Sequence, residues 1–411
     1  MKLIVIMIDG LAADTLARWR SRLPHLSVLA DKGLFVERLT PDLPATSLPG
    51  RTSIVTGVDA TRHGIYGNVI WDGERFRYAN PDDVRVDTLP RRAMAAGCDV
   101  AVIGYGMIRP EDASVFHHAW WANEMLQRAR DEAPIPADES WLRTARHQDK
   151  SGRLAALALS GLPAAVPDAY AGDQAHYFLS ELTGDQIMLQ WSAGLALSEA
   201  PPDLIITEIL TPDSVQHRTG FDSPFALWSL SYADALLGTL ISQLREGGRL
   251  DQYALAVLSD HGHGPIERAF YADLLLPGRR FSCEGGFLYV AVESEREARQ
   301  LAERLAPHGV ERLPGDHLPA EVRGSVATFV APPRCSFERR PEGMDGLSGK
   351  PRYPSNHGFR PGSLQDERFA VIAVPGREPR RVARADSLQV APTLAALLEL
   401  SLTPYPGSPL L

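Results

Sequence analysis

Residues 3–8 are apolar at every position, Leu-Ile-Val-Ile-Met-Ile, with no alternation of polar residues between them. Such a run marks a strand buried on both faces, as in a parallel sheet. After Asp9-Gly10 the apolar positions take up helical spacing over about 12–32, which predicts a crossover helix. The rhythm then repeats. Strands are expected at 33–39, 99–104, 203–210, 253–258 and 369–374, and helices after Ser47 and at 174–197, 224–245 and 390–400. Asp72-Gly73 between two β-prone runs predicts a hairpin over 69–78. Strand and helix alternation of this kind predicts an α/β fold with a mostly parallel sheet between helices.

Two stretches break the rhythm. Over 266–345 a strand at 287–292 is followed by Ser294-Glu295-Arg296-Glu297, a capping box opening a helix that ends before Gly309. This predicts a small α+β cap, with the core formed by 1–265 and 346–411. Residues 108–175, with Trp120-Trp121 and several prolines, read as a second, irregular insertion with some helix.

Chemistry collects where the strands end. Asp9, Asp213 and Asp260 each end or closely follow an apolar strand, and in such sheets ligands bind beyond the carboxyl ends of strands. Taken singly, each has a bland alternative, such as a turn at Asp9-Gly10 or at Asp260-His261-Gly262. Asp213 and His217 are four apart, so one helical turn would aim both at one point. With His261 and the late His357 they make a set of hard-to-borderline donors without a thiolate, the kind zinc prefers, and with Ser47 there are enough groups for two ions. Ser47 precedes a helix-like segment, where the positive end of a helix dipole favours an anionic substrate; the plain alternative is an N-cap hydroxyl. Arg51 would fall in the first turn of that helix, where a cation needs an anion nearby. That anion is either an acidic metal ligand or an extra charge on the substrate. His63 and His263 read as structural, and Trp120-Trp121 as packing residues rather than the floor of a cleft.

Composition narrows the field. With 44% hydrophobic and 23% charged residues in 411, the chain is globular and can bury a large core. Its net charge of -9 comes without a basic stripe, which excludes duplex nucleic acid as a partner. Cys98, Cys283 and Cys335 form neither a disulfide framework nor a metal-binding pair. The N-terminal apolar run ends in an aspartate instead of a cleavage site, and no segment is expected to approach the about 18 apolar residues of a membrane span. The expectation is a cytoplasmic protein without a membrane partner.

Taken together, Met7-Ile8-Asp9-Gly10, the Ser47 segment ending Ser53-Ile54-Val55-Thr56-Gly57, His63-Gly64-Ile65-Tyr66-Gly67-Asn68, Pro212-Asp213-Ser214-Val215-Gln216-His217, Ser259-Asp260-His261-Gly262 and Asn356-His357-Gly358 resemble the type I phosphodiesterase/nucleotide pyrophosphatase family of the alkaline phosphatase superfamily. Residues 390–398 also resemble the closing helix of that superfamily. The resemblance implies an alkaline-phosphatase-like fold and a two-zinc hydrolase of phosphate esters acting through a covalent phosphoserine at Ser47, with Mn2+ as another possible ion. It implies one zinc on Asp9, Asp260, His261 and the Ser47 oxygen, the other on Asp213, His217 and His357, and Asn68 on a non-bridging oxygen of a small anionic phosphoryl substrate.

The chain departs from the pattern at Leu48, where nucleotide-cleaving relatives commonly have an aromatic that stacks on the base, and at Gly50-Arg51, where they have Asn-His. Leu48 and Arg51 are therefore the candidate substrate-binding positions, and phosphonate or phosphate monoesters stand as alternative substrates. Ser47-x-Pro49-x-Arg51 also fits a sulfatase pattern, in which the serine becomes formylglycine. Against it, Asp9 lacks an adjacent second aspartate, and a second metal site is supplied. A non-catalytic binding protein on the same fold would be expected to lack a ligand, and none is missing.

Overall fold

The structure is a computed structural model that describes residues 1–41, 43, 45–122, 148–157, 159, 175–360 and 362–411, with side chains from 178 on in the helix opening at 175. Most of the expected 108–175 insertion, residue 174 of the expected helix and Pro44 of the Ser47 segment lie outside the described residues. The strands of the core are β1 (Lys2–Ile8), β2 (Leu34–Thr40), β3 (Val100–Ile103), β4 (Val115–His117), β5 (Leu204–Ile209), β6 (Tyr253–Leu258) and β7 (Arg368–Ala373). They form one sheet in the order β2-β7-β6-β1-β5-β3-β4, extended at its edges by the short strands Arg380–Val382, Ala385–Asp386 and Gln148–Asp149. The sheet is parallel except at Gln148–Asp149 and at β7, which runs antiparallel to both β6 and β2. Strand direction is invisible to hydrophobic patterning, because a central strand buried on both faces reads the same either way.

Apolar side chains alternate between two cores. Ile4, Ile6 and Ile8 meet the layer containing Ala13–Trp19, Pro24–Lys32, Ala175–Leu197 and Pro224–Glu246, and Leu3, Val5 and Met7 meet Ser47–Thr56, Leu89–Ala95 and Val390–Leu397. The single helix expected over 12–32 is two helices joined by a 3-10 turn at Arg20–Arg22, because Pro24 has no N–H to continue the first helix and opens the second. The helix Pro224–Glu246 corrects another expectation, being long and apolar enough by length and composition to cross a membrane. Here Leu230, Leu237, Leu240 and Leu244 pack it against the sheet, and more than half of its most apolar window is buried.

Residues Phe281–Glu284, Phe287–Ala291, Val326–Val330 and Glu311–Arg312 form a separate four-stranded antiparallel sheet carrying the helix Glu295–Leu305. Ser294 caps that helix by accepting from Glu297 N, but the Glu297 carboxylate accepts from Glu293 N, so the box is not reciprocal. Phe287 and Tyr289 pack with Leu48, Ile65 and Tyr66, which sets this small sheet against the Ser47 end of the core.

Candidate active site

Strands β6, β1 and β5 are adjacent and parallel, in a register that pairs Met7 with Leu258 and Ile8 with Ile209. Their ends therefore deliver Asp260-His261, Asp9 and the helix Thr211–Thr219 to one place. That helix puts Asp213 and His217 on one face, with His217 Nε2 3.4 Å from Asp213 Oδ2. Ser47 is the first residue of its helix, with Thr46 at the cap position and no side-chain capping bond, so the serine is not an N-cap. The helix lies directly on the Asp260 backbone. A Cβ at Gly50 would come within 2.4 Å of Asp260 O, which explains glycine there.

The structure gathers the seven candidate ligands into two adjoining groups. In one, His261 Nε2 lies 3.1 Å from Asp9 Oδ1 and 3.8 Å from Asp260 Oδ2, and 2.9 Å from Ser47 Oγ. The other brings Asp213, His217 and His357 together, and donor atoms in each group of three lie within 4.8 Å of one another. His261 and His357 rings are 4.1 Å apart, so the groups touch.

The donors fit metal ions. Asp9 Oδ1, Asp213 Oδ1, Asp260 Oδ2 and His357 Nδ1 are buried with no well-formed hydrogen bond, a costly arrangement that a cation would relieve. His261 Nδ1 donates to Gly262 O at 2.9 Å and His217 Nδ1 to Ser355 O at 3.2 Å, which turns each Nε2 lone pair toward the cluster, the orientation metal-bound imidazoles adopt. Burial opposes a proton on His261, but the Asp260, Asp9 and Asp213 carboxylates outweigh it and push the imidazole up to about 10. Positive charge is what this cluster calls for. Burial and repulsion from Asp9 raise the Asp260 carboxyl in the same way.

Arg51 is fully enclosed. Its guanidinium meets three carboxylates, Nη2 on Asp9, Nε on Glu208 at 3.0 Å and Nη1 on Asp260 Oδ2 at 3.2 Å, and it sits over the Trp121 ring. Of the two partners expected for Arg51, the structure supplies the protein carboxylates. Leu48 is buried too. Its N–H donates to Asn68 Oδ1 at 2.8 Å, which leaves the Asn68 Nδ2 as the free end of that amide, beside Ser47.

A cavity of about 220 Å³ opens over Ser47, with Asn68, Asp213, His217 and His357 on its polar side and Leu48, Tyr78, Trp121 and Leu210 around it. Trp121 thus lines the cleft, while Trp120 packs, donating to Asp185 at 3.0 Å. His63 is held within the fold, bonded to Ser53 Oγ and Ile65 N. His263 lies nearer the chemistry than expected, with Nε2 3.4 Å from Asp213 Oδ1.

Two acidic residues outside the sequence motifs also support the site. Glu208 accepts from both Arg51 and Trp121 Nε1, and burial lifts its carboxyl to about 7. It was legible as a lone charge inside the apolar run 204–209. Asp185 accepts from Leu210 N and Thr211 N at 3.1 and 2.9 Å, at the start of the helix bearing Asp213 and His217. Nothing in its own helical stretch marks it.

The model of the family described as type I phosphodiesterase / nucleotide pyrophosphatase matches residues 3–340. Ectonucleotide pyrophosphatase/phosphodiesterase family member 3 of Rattus norvegicus is 25% identical over 262 residues, 63% of this chain and 24% of that protein. Family member 1 of Mus musculus is 25% identical over 265 residues, with the same shares, 63% and 24%. The chain thus spans about a quarter of the length of these curated relatives. Among solved structures, murine ectonucleotide pyrophosphatase / phosphodiesterase 5 superimposes with a TM-score of 0.72 at 17% identity, covering 99% of this chain and 98% of that one. An inactive variant of the murine protein in complex with AMP gives 0.71 at 17% identity, covering 99% and 97%. At such identities the likeness is one of fold.

Proposed function

The chain belongs to the type I phosphodiesterase/nucleotide pyrophosphatase family, and from that premise we propose that it hydrolyses phosphodiester or pyrophosphate bonds through a covalent phosphoserine at Ser47. The observation that carries this reading is the pair of donor clusters meeting beside the Ser47 hydroxyl. Asp9, Asp260 and His261, with Ser47 Oγ, would hold one divalent ion, and Asp213, His217 and His357 the other, with zinc favoured by the nitrogen and oxygen donors. Such ions supply Lewis acidity, lowering the pKa of the Ser47 hydroxyl and neutralising charge on the leaving oxygen.

The protein's own groups do the rest. Ser47 Oγ loses its proton to solvent and bonds to phosphorus while the ester or anhydride oxygen departs with its electron pair. The oxygen of a water then bonds to phosphorus and loses a proton, and the Oγ–P bond breaks with its electron pair returning to Oγ, which takes a proton back and leaves the phosphoryl product free. Asn68 Nδ2 donates to a non-bridging oxygen, its amide oxygen being held by Leu48 N. Leu48 offers no ring for a base, but Tyr78 and Trp121 flank the cleft and give a planar group aromatic surface. A nucleotide such as the AMP bound by the murine relative suits that shape.

The test is a screen of the metal-loaded protein on p-nitrophenyl phosphate, bis-p-nitrophenyl phosphate, a phosphonate ester and p-nitrophenyl sulfate, with wild type and Ser47→Ala. Diester turnover should lead, and Ser47→Ala should lower it at least about a thousandfold while most metal stays bound. Full activity in Ser47→Ala, or formylglycine at position 47 by intact-protein mass spectrometry, would overturn the phosphoserine mechanism.

A further inference from the structure

The small sheet of residues 281–330 holds the Asn68 loop through the Tyr289 hydroxyl, which donates to Tyr66 O at 2.6 Å, and through the carboxylate of Glu284. Glu284 ends the strand Phe281–Glu284, is 6% exposed, and accepts three hydrogen bonds. Its Oε1 takes Val69 N at 2.7 Å, and Oε2 takes Asn68 N at 2.8 Å and the Thr46 hydroxyl at 3.4 Å. These donors bracket the chemistry. Thr46 precedes Ser47, and Asn68 binds the Leu48 amide that follows it. The fit leaves no slack, since a Cβ at Gly67 would lie 2.7 Å from Glu284 Oε1.

The turn after Glu284 reaches the other half of the site. Gly285 has φ +61, and a Cβ on it would come 2.1 Å from His357 O, while one on Gly286 would come 2.2 Å from Gly358 O. Gly286 N donates to His357 O at 3.2 Å, and Gly358 N in turn donates to Ala45 O at 3.2 Å. One turn of the inserted sheet is thus wedged between the Asn68 loop and the His357 loop.

A carboxylate is a costly group to place here. All three donors are uncharged, and burial raises its carboxyl to about 7 against their pull. A neutral acceptor would hold the turn with less penalty, but only a carboxylate offers two equivalent oxygens to two diverging backbone N–H groups and a hydroxyl.

We propose that Glu284 is a positioning residue of the hydrolase, fixing the backbone of Asn68 so that the Asn68 amide meets the phosphoryl group beside Ser47. This rests on the phosphoserine reading given above. Without Glu284 the Asn68 and Val69 amides lose their acceptor, the loop relaxes, and the Asn68 Nδ2 is no longer held on the phosphoryl oxygen.

A double-mutant cycle on the metal-loaded protein tests it, using Glu284→Ala, the isosteric Glu284→Gln, Asn68→Ala and the pairs, with diester kcat, KM and bound metal measured for each. Glu284→Ala should lower kcat roughly 10- to 100-fold with KM changed less than about threefold and both metal equivalents retained. Glu284→Gln, keeping one acceptor oxygen, should fall between it and wild type. In the Asn68→Ala background, removing Glu284 should cost no more than about threefold further. Independent, multiplying losses, or loss of metal in the well-folded Glu284→Gln protein, would overturn the assignment. If Ser47→Ala or Asn68→Ala retains full activity, the functional reading fails with it, whereas loss in those variants beside a fully active Glu284→Gln defeats the Glu284 role alone.

Discussion

Arg51 and Glu208 face each other beneath the cleft, Arg51 Nε donating to Glu208 Oε2 at 3.0 Å, with both side chains withdrawn from water. The guanidinium also neutralises Asp9 and Asp260, so a side chain that lines the cleft over Ser47 holds acidic side chains together from beneath it. Removing it leaves buried carboxylates without their counter-charge. Arg51→Ala should cost about 3–5 kcal/mol in urea unfolding, with turnover of monoesters and diesters falling in equal proportion. A selective loss of monoester turnover would restore a substrate role.

Stripping metal should be felt by the whole fold. Asp9, Asp213 and Asp260 crowd one region, where Asp9 Oδ1 lies 3.1 Å from His261 Nε2 and Asp213 Oδ1 lies 3.4 Å from His263 Nε2. Chelation at neutral pH is expected to lower the unfolding temperature, and zinc at about 100 times its Kd to return about 2.7 kcal/mol per site. Calorimetry with and without chelator checks this, and an unchanged transition would refute it.

Asp185 should set metal affinity without touching metal. Its carboxylate accepts the Leu210 and Thr211 amides that open the helix of Asp213 and His217, and burial raises its carboxyl against those bonds. Asp185→Ala frees that helix end. The expected result is a 10- to 100-fold weaker second ion in competition with a chromophoric chelator, the first ion being little affected. Equal weakening of both would point to general loosening.

Glu284 makes stability depend on pH in a defined direction. Its carboxyl rises from 4.5 to about 7 on burial, so its contribution is fully present below about 4.5 and is lost as pH rises through about 7. Tyr66, Tyr289 and Cys283, the titratable groups facing it, are pushed far up by burial and stay neutral in this window. Glu284→Gln carries no charge at any pH. Relative to wild type it should gain up to about 3 kcal/mol between pH 4.5 and 8 in urea unfolding. Parallel pH profiles would contradict the buried charge.

Much of this candidate site could be read from the chain because three of its candidate ligands lie at or just beyond strand ends, where an apolar run gives way to an acid. Asp9, Asp213 and Asp260 announce themselves in that way, and the pattern of β1, β5 and β6 places them. Residues that hold these candidate ligands and their loops in place carry no such mark. Asp185 lies within an ordinary helix, and Glu284 in a short strand whose partners are backbone amides more than 200 residues away in sequence. The environment of Arg51 depended on Glu208 in another strand, so patterning could offer a choice of partners but not decide it. Strand direction at β7 was likewise unreadable.

That strand carries a consequence for biosynthesis. β7 lies between β6 and β2, and Phe369 N donates to Ser259 Oγ, 110 residues earlier. At ribosomal speeds of about 5–20 residues per second, the edges of β2 and β6 stay bare for several seconds or longer after β6 is made. Exposed edges are templates for pairing with other chains, and pairing across such a separation is slow. His357 is made in the same late interval, so the catalytic centre and the seam of the sheet close together, near the end of synthesis, and a chaperone that shields strand edges should raise the yield of active protein more than it raises the yield of soluble protein.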